Sequence, residues 1–189
     1  MLPILNRGAL RGEALAKYVN NQVGGKTLEQ MQIPLGIVAT DLGSGQAITF
    51  RRGNTGAAVR ASSAVPAVFQ PVRLGDREYV DGGLVSPVPV RQTREMGANF
   101  VVAVDISSDP EGNPYGDTFQ ILMQTFAIMG KSINTLALKE ADLVIRPALS
   151  GVKSADFSAR LRAIEAGRVA MRAALPALKA RMAQFEEGR

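Results

Sequence analysis

Cysteine, histidine and tryptophan are absent from the 189 residues or, for tryptophan, replaced by a mere 5% of Phe and Tyr. Each absence closes a class of chemistry. Without cysteine there is no disulfide framework, no thiolate nucleophile and no thiolate metal site. Without histidine there is no Ser-His-Asp triad, no Cys-His dyad, no imidazole base and no histidine-ligated metal. Chemistry is left to Asp, Glu, Ser, Thr, Lys, Arg, Tyr and backbone groups. The few aromatics are not interleaved with basic residues, which argues against nucleic acid as a partner. No apolar run approaches the roughly 20 residues of a membrane-spanning helix. Met1 is followed by Leu-Pro-Ile-Leu rather than by a basic segment and a long apolar stretch, so no secretory signal is read there.

What is present suits one domain: 46% apolar and 21% charged residues, enough to bury a core. The net charge of +5 is uneven, because seven Arg or Lys face three Glu between Ala159 and Arg189. A solvated helix face accounts for that excess. An anionic surface such as phospholipid headgroups is the alternative.

Leu15, Val19 and Val23 recur every four residues and predict a helix over Leu10–Val23, stopped by Gly24-Gly25. Pro34 to Asp41 is a short β-branched run that reads as a buried strand, and Gln46–Phe50 as its antiparallel partner. Thr55 is expected to cap a helix running to about Ala64, before Pro66. Val68–Leu74 and Glu78–Val80 flank the turn signal Gly75-Asp76. Pro87–Met96 predicts a short helix, Asn99–Asp105 a second buried strand and Asp109–Gly116 a loop. Thr118–Lys139 predicts a long helix, either buried between sheet and tail or with its methionines, Met123 and Met129, lining an acyl pocket or touching a membrane, and Leu143–Pro147 a last strand. Phe157, Leu161, Ile164, Met171, Leu175, Leu178, Met182 and Phe185 predict a helical tail that Pro176 kinks or divides. Strands alternating with helices predict an α/β fold, with a mostly parallel, helix-covered sheet and a hairpin at its side.

Three apolar strands end in aspartate: Asp41, Asp81 and Asp105. Carboxylates gathered beyond strand ends would suit a magnesium site for phosphoryl transfer. Equally, an aspartate there accepts hydrogen bonds from turn N–H groups. Asp81 is followed by Gly82-Gly83, which lets the backbone come close to another group or take a positive φ. It is therefore expected on a tight turn at the ligand-facing edge, with a glycine in the left-handed region. Ala61-Ser62-Ser63-Ala64 is a stretch of small residues before Pro66, suited to close packing. No Gly-x-Ser-x-Gly elbow occurs anywhere, so Ser62 and Ser63 are read as structural. Dinucleotide and phosphate-loop glycine patterns are also absent.

In order, Pro34-Leu35-Gly36-Ile37-Val38-Ala39-Thr40-Asp41, Arg60-Ala61-Ser62-Ser63-Ala64-Val65-Pro66, Phe69-Gln70-Pro71, Val80-Asp81-Gly82-Gly83, Pro87-Val88-Pro89 and Val101-Val102-Ala103-Val104-Asp105 resemble the bacterial patatin-like phospholipases. Gly8-Ala9-Leu10-Arg11-Gly12 and Ile164-Glu165-Ala166-Gly167-Arg168 add to the likeness, which runs along nearly the whole chain. The resemblance implies a three-layer α/β/α fold and a lipid acyl hydrolase that needs no cofactor and no metal. It implies a Ser-Asp dyad, in keeping with the absence of histidine, with Asp81 as the catalytic aspartate. It also implies that the glycine-rich oxyanion loop and the serine elbow precede Gly8. Residues 1–189 then correspond to the C-terminal part of a single domain, with an apolar sheet edge open to association. The partner implied is a lipid ester or phospholipid, met in the cytoplasm or at a membrane surface. A non-catalytic lipid- or partner-binding remnant and the carboxylate-metal phosphotransferase remain the alternatives.

Overall fold

The computed structural model describes residues 8, 10–107, 109–113, 115–152 and 157–188. The N-terminal reading over 1–7, Ala9 of the opening motif, Pro114 of the expected loop and the side chain of Phe157 lie outside the described residues.

The first half builds an antiparallel sheet with helices against it. Helix α1 (Glu13–Gln22) leads to a single 3-10 turn at Leu28–Gln30 and then to β1 (Ile37–Asp41) and β2 (Ala47–Phe50). Helix α2 (Thr55–Ser62) is followed by β3 (Val72–Leu74), β4 (Arg77–Asp81) and a 3-10 turn at Gly82–Leu84. The strand order is β2-β1-β4-β3, and every neighbour is antiparallel. The second half comprises α3 (Val90–Glu95), β5 (Val102–Val104), α4 (Thr118–Ala137), β6 (Leu143–Ile145) and α5 (Arg160–Glu187). Here β5 and β6 pair in parallel across the α4 crossover.

The α/β class is therefore as expected, but parallel pairing is confined to β5 and β6. Connection length decides the difference. Short turns at 42–46 and at Gly75-Asp76 can only reverse the chain, whereas the helical crossover returns it in the same sense. Element signals located the strands, although β3 begins at Val72 rather than Val68 and β5 is shorter than expected and buried only at Ala103, and they did not carry the β1–β4 pairing, which joins two hairpins.

Two apolar clusters form the core. Ala39, Ala61, Ala64, Val72 and Tyr79 pack between sheet and α2, with Phe50 edge-on to Tyr79 at a ring-centroid distance of 5.0 Å. Val88, Val90, Val101, Ala103 and Leu138 form the second cluster beneath the parallel pair. The small residues of α2 let it approach α1. A methyl on Gly56 would fall 2.2 Å from the Ala16 carbonyl oxygen, so glycine is required there by proximity. The Gly56 amide instead donates to Asn20 Oδ1 at 2.8 Å. The α2 cap is Asn54 rather than Thr55: Asn54 Oδ1 accepts from the Ala57 amide at 2.8 Å. Thr55 lies inside the helix and donates its hydroxyl to the Lys26 carbonyl at 2.7 Å.

Arg94 of α3 ties the second half together. Its guanidinium donates to the Asn99 and Glu140 carbonyls and to Asp142 Oδ2, at 2.6, 3.1 and 2.6 Å. Burial of Asp142 is outweighed by the Val101 amide and by Arg94, which hold its carboxyl below the usual range.

The long helices depart most from expectation. α4 is not buried between sheet and tail: it meets the Gly82–Leu84 turn, and Phe119, Ile121, Ile128, Met129 and Leu136 are exposed. Over Thr118–Glu140 it is long and apolar enough to cross a membrane by length and composition, with a mean hydropathy of 1.2. That value arises because apolar residues encircle the helix between scattered polar ones, without a continuous apolar run. α5 lies against β6 and remains one helix through Pro176. Its Leu161, Ile164, Val169, Leu175 and Met182 are exposed, while Phe185 meets Phe100 edge-on. Beyond β5, no described strand pairs with its outer edge, and Val102 and Val104 are exposed.

Candidate functional site

Asp81 ends β4, and its backbone is fixed at both polar groups. The Asp81 amide donates to the Ala64 carbonyl at 3.0 Å, and the Thr40 hydroxyl donates to the Asp81 carbonyl at 2.7 Å. Thr40 and Ala64 are themselves buried, so neither anchor yields readily. The small-residue stretch thus has a definite role. Its last alanine brings a carbonyl against β4, and the chain then turns at Pro66 and at Ala67, whose φ of 69° is left-handed. A non-glycine residue held there carries strain, which the surrounding packing must offset.

The two glycines after Asp81 act through space and not through positive φ, which neither adopts. Gly82 is buried where β1 passes: a methyl on it would lie 2.2 Å from the Val38 carbonyl oxygen. Gly83 donates its amide to Asp81 Oδ1 at 2.7 Å, and a methyl there would come within 3.0 Å of the same oxygen. The expected left-handed glycine is replaced by a 3-10 turn, because the turn after β4 bends towards β1 and needs clearance rather than a reversed dihedral.

The Asp81 side chain is half-buried. Burial raises its proton affinity above the ordinary carboxylate range, and the Gly83 amide opposes this only in part. Oδ1 has the Gly83 amide, whereas Oδ2 has no partner among the described residues. A carboxylate so placed has one oxygen held and one available, with its basicity increased by desolvation. That combination suits accepting a proton from a hydroxyl brought against it.

Asp41 and Asp105 do not join it. In the register of β1 with β4, Asp81 faces Ala39 while Asp41 faces Tyr79, so the two chain ends point oppositely. Asp41 Oδ1 accepts from the Gly43 and Ser44 amides at 2.9 and 3.0 Å, and Oδ2 accepts from Arg77 at 2.7 Å. The Arg77 guanidinium, then the Ser44 amide, hold its carboxyl below the usual range against its burial. Asp105 Oδ1 accepts from the Ser107 amide and hydroxyl at 3.1 and 2.6 Å, and Oδ2 from Arg146 at 3.0 Å. These are the turn-capping roles that aspartates fill at strand ends. The carboxylate-metal alternative loses its basis, because no group of three acidic ligands gathers among the described residues. The physical reason is twofold: antiparallel pairing sends the ends of β1 and β4 to opposite edges, and Asp105 ends a strand of the separate parallel pair.

Two open clefts lie elsewhere. One, about 490 Å³, runs along the Asp41–Ser44 turn and Asp76–Glu78. The other, about 450 Å³, lies beyond β5 and β6 between Asp105, Arg146 and α4. Asp81 lines neither. Nothing in the sequence pointed to the second cleft or to Thr40 as an anchor of Asp81, since the partners are 41 residues apart in both Asp105–Arg146 and Thr40–Asp81.

Similarity to known proteins falls on the same residues. The family pattern described as patatin-like phospholipase matches residues 1–94, which include Asp81 and both of its anchors. An uncharacterized NTE family protein of Mycobacterium tuberculosis is 37% identical over 105 residues, 56% of this chain and 29% of that protein. A second from the same organism is 27% identical over 192 aligned positions, 88% of this chain and 33% of that protein. The lysophospholipase NTE1 of Debaryomyces hansenii is 34% identical over 62 residues, 32% of this chain and 4% of that protein. The chain thus spans about a third or less of the curated relatives it matches.

Proposed function

The chain belongs to the patatin-like phospholipase family, and from that premise we propose that it is part of a lipid acyl hydrolase in which Asp81 is the dyad acid. The observation that carries this reading is the state of Asp81. Its backbone is clamped by Ala64 and Thr40, Oδ1 is held by Gly83, Oδ2 has no partner among the described residues, and burial raises its proton affinity. A serine hydroxyl delivered to Oδ2 would give up its proton there as it attacks an ester carbonyl. The carboxyl then returns the proton to the leaving alkoxide, and a water repeats the cycle on the acyl-enzyme. Acyl transfer also needs donors for the oxyanion. Asp81 supplies only the base, so residues 1–189 alone should not turn over esters. Ser62 and Ser63 are not assigned as nucleophiles.

The proposed substrate is a lipid ester met in the cytoplasm or at a membrane surface, which the exposed apolar faces of α4 and α5 support. The outer edge of β5 is the proposed site of association with a further polypeptide segment. A non-catalytic lipid- or partner-binding role is the competing outcome.

The test is turnover of p-nitrophenyl butyrate and lysophosphatidylcholine. The chain is assayed alone and together with a segment bearing the glycine-rich loop and serine elbow of a family member, joined in cis or added as a second polypeptide. Activity is expected only in the combination. There, Asp81→Asn should lower kcat by about 10²-fold or more, with an unchanged circular dichroism spectrum, because the amide cannot take the proton. Full activity in Asp81→Asn would refute the assignment. Turnover by the chain alone that Ser62→Ala or Ser63→Ala abolishes would move the nucleophile into these residues.

A further inference from the structure

The cleft beyond β5 and β6 contains an anomaly. Asn134 of α4 is 3% exposed, and both polar atoms of its side chain lack a hydrogen-bond partner among the described residues. A buried primary amide left unpaired is costly and uncommon in a native fold. Asn134 lines the cleft together with Lys131, Lys139 and Arg146, and with the carboxylates Asp105 and Asp109. The cleft lies just past the carboxyl ends of two parallel strands, since Asp105 follows Val104 and Arg146 follows Ile145. That is the place where open α/β sheets hold ligands.

The charges are arranged to favour an anion. Asp105 is satisfied on both oxygens by Ser107 and Arg146, so little of its charge is left to repel a ligand. Arg146 uses only Nε in that contact, and among the described residues its terminal nitrogens have no partner, which leaves them to a second group. Asp109 accepts from Lys131 at 3.0 Å and from the Glu111 amide at 3.2 Å. Lys139 has no acidic partner among the described residues and is exposed at the rim. Three cations therefore stand against two carboxylates that are already engaged. A guanidinium fork, two ammonium groups and a neutral amide match a tetrahedral oxyanion with several acceptors better than a single planar carboxylate.

We propose that this cleft is a phosphate-binding site, in which Arg146, Lys131 and Lys139 contact the phosphoryl oxygens and Asn134 serves the remainder of the ligand. The chemistry fits a free phosphate and the headgroup of a phospholipid alike. The headgroup source rests on the lipid-ester reading given above, whereas phosphate binding does not. The two readings fail separately, because one is tested by ester turnover and the other by equilibrium binding.

The experiment titrates the chain with inorganic phosphate, glycerophosphocholine and acetate, following binding by calorimetry and the Asn134 side-chain amide resonances by NMR. Saturable phosphate binding that shifts the Asn134 amide is expected. Lys139→Ala and Arg146→Ala should each weaken it about tenfold or more. Asp109→Asn, which frees Lys131, should strengthen it, while Asp76→Asn on a distant exposed turn should leave it unchanged. Glycerophosphocholine binding at least about tenfold tighter than phosphate supports the headgroup as source, and equal or weaker binding supports free phosphate. Lys139 is exposed, so its variant reports on binding without threatening the fold. Acetate binding as tightly as phosphate, phosphate binding indifferent to Lys139→Ala and Arg146→Ala, or no saturable binding by a chain with a dispersed NMR spectrum would each overturn the proposal.

Discussion

Gly82→Ala is the most exacting perturbation of the Asp81 turn. An ideal methyl at this position lies 2.2 Å from the Val38 carbonyl oxygen, 2.8 Å from its carbon and 3.4 Å from Ala39 Cα. Non-bonded carbon sits comfortably at about 3.5 Å, so the two segments must separate by about 1 Å. All three obstructing atoms are backbone and cannot rotate away. Val38 is paired with Thr49, and Ala39 faces both Ile48 and Asp81, so β1 cannot retreat without disturbing both of its neighbours. Overpacking in a rigid core costs about 1–3 kcal/mol, and backbone obstruction places this case at about 2–4 kcal/mol. At about 3 kcal/mol the melting temperature should fall roughly 6–12 °C for a chain of this size. The assay is urea unfolding at constant m, with two comparisons. Gly75→Ala, at φ 66° with open space around it, tests the dihedral alone and should cost about 1 kcal/mol. Gly83→Ala meets only the Asp81 carboxyl oxygen, a movable atom, and should cost less than Gly82→Ala. A Gly82→Ala protein within about 0.5 kcal/mol of the parent, or no worse than Gly75→Ala, would refute the claim that clearance against β1 is what selects glycine.

Three further outcomes are expected. Asp41 has a depressed folded-state proton affinity, caused first by Arg77, so its stabilisation is complete above the ordinary carboxyl range and is lost as pH falls through the folded value. Thermal unfolding between about pH 6 and pH 2 should show a shallower acid loss in Arg77→Ala than in the parent. Asp81 has the opposite sign: burial raises its folded-state value, the folded chain binds the extra proton, and stability declines as pH rises from the ordinary range through the raised value. Asp81→Asn should remove that decline and be more stable than the parent at neutral pH by urea midpoint; an unchanged pH profile would count against burial as the cause. Asn134→Leu replaces an unpaired buried amide with an apolar group of equal heavy-atom count, so it should stabilise the chain by about 1–3 kcal/mol in urea unfolding.

Much of this protein is local in origin and legible in its sequence. The β-branched run before Asp41, the turn signal at Gly75-Asp76 and the period of the tail specify elements, because backbone propensity and turn chemistry act within a few residues. The absence of histidine and cysteine removed their chemistry from residues 1–189 before any fold was known. The ordered motifs were sufficient to single out the family, and they nominate Asp81 as the proposed dyad acid. Tertiary structure decided what those elements meet. It placed Asp41 with Arg77 and Asp105 with Arg146, separating three carboxylates that the sequence offered as one cluster. It gave Gly82 its role through a neighbour 44 residues away, and it left α4 exposed where its composition suggested burial. It also stranded the amide of Asn134 in a cleft lined by residues from both strands and the helix. These outcomes depend on strand pairing and on contacts between distant segments, whose energies arise only when chain closure has brought the partners together.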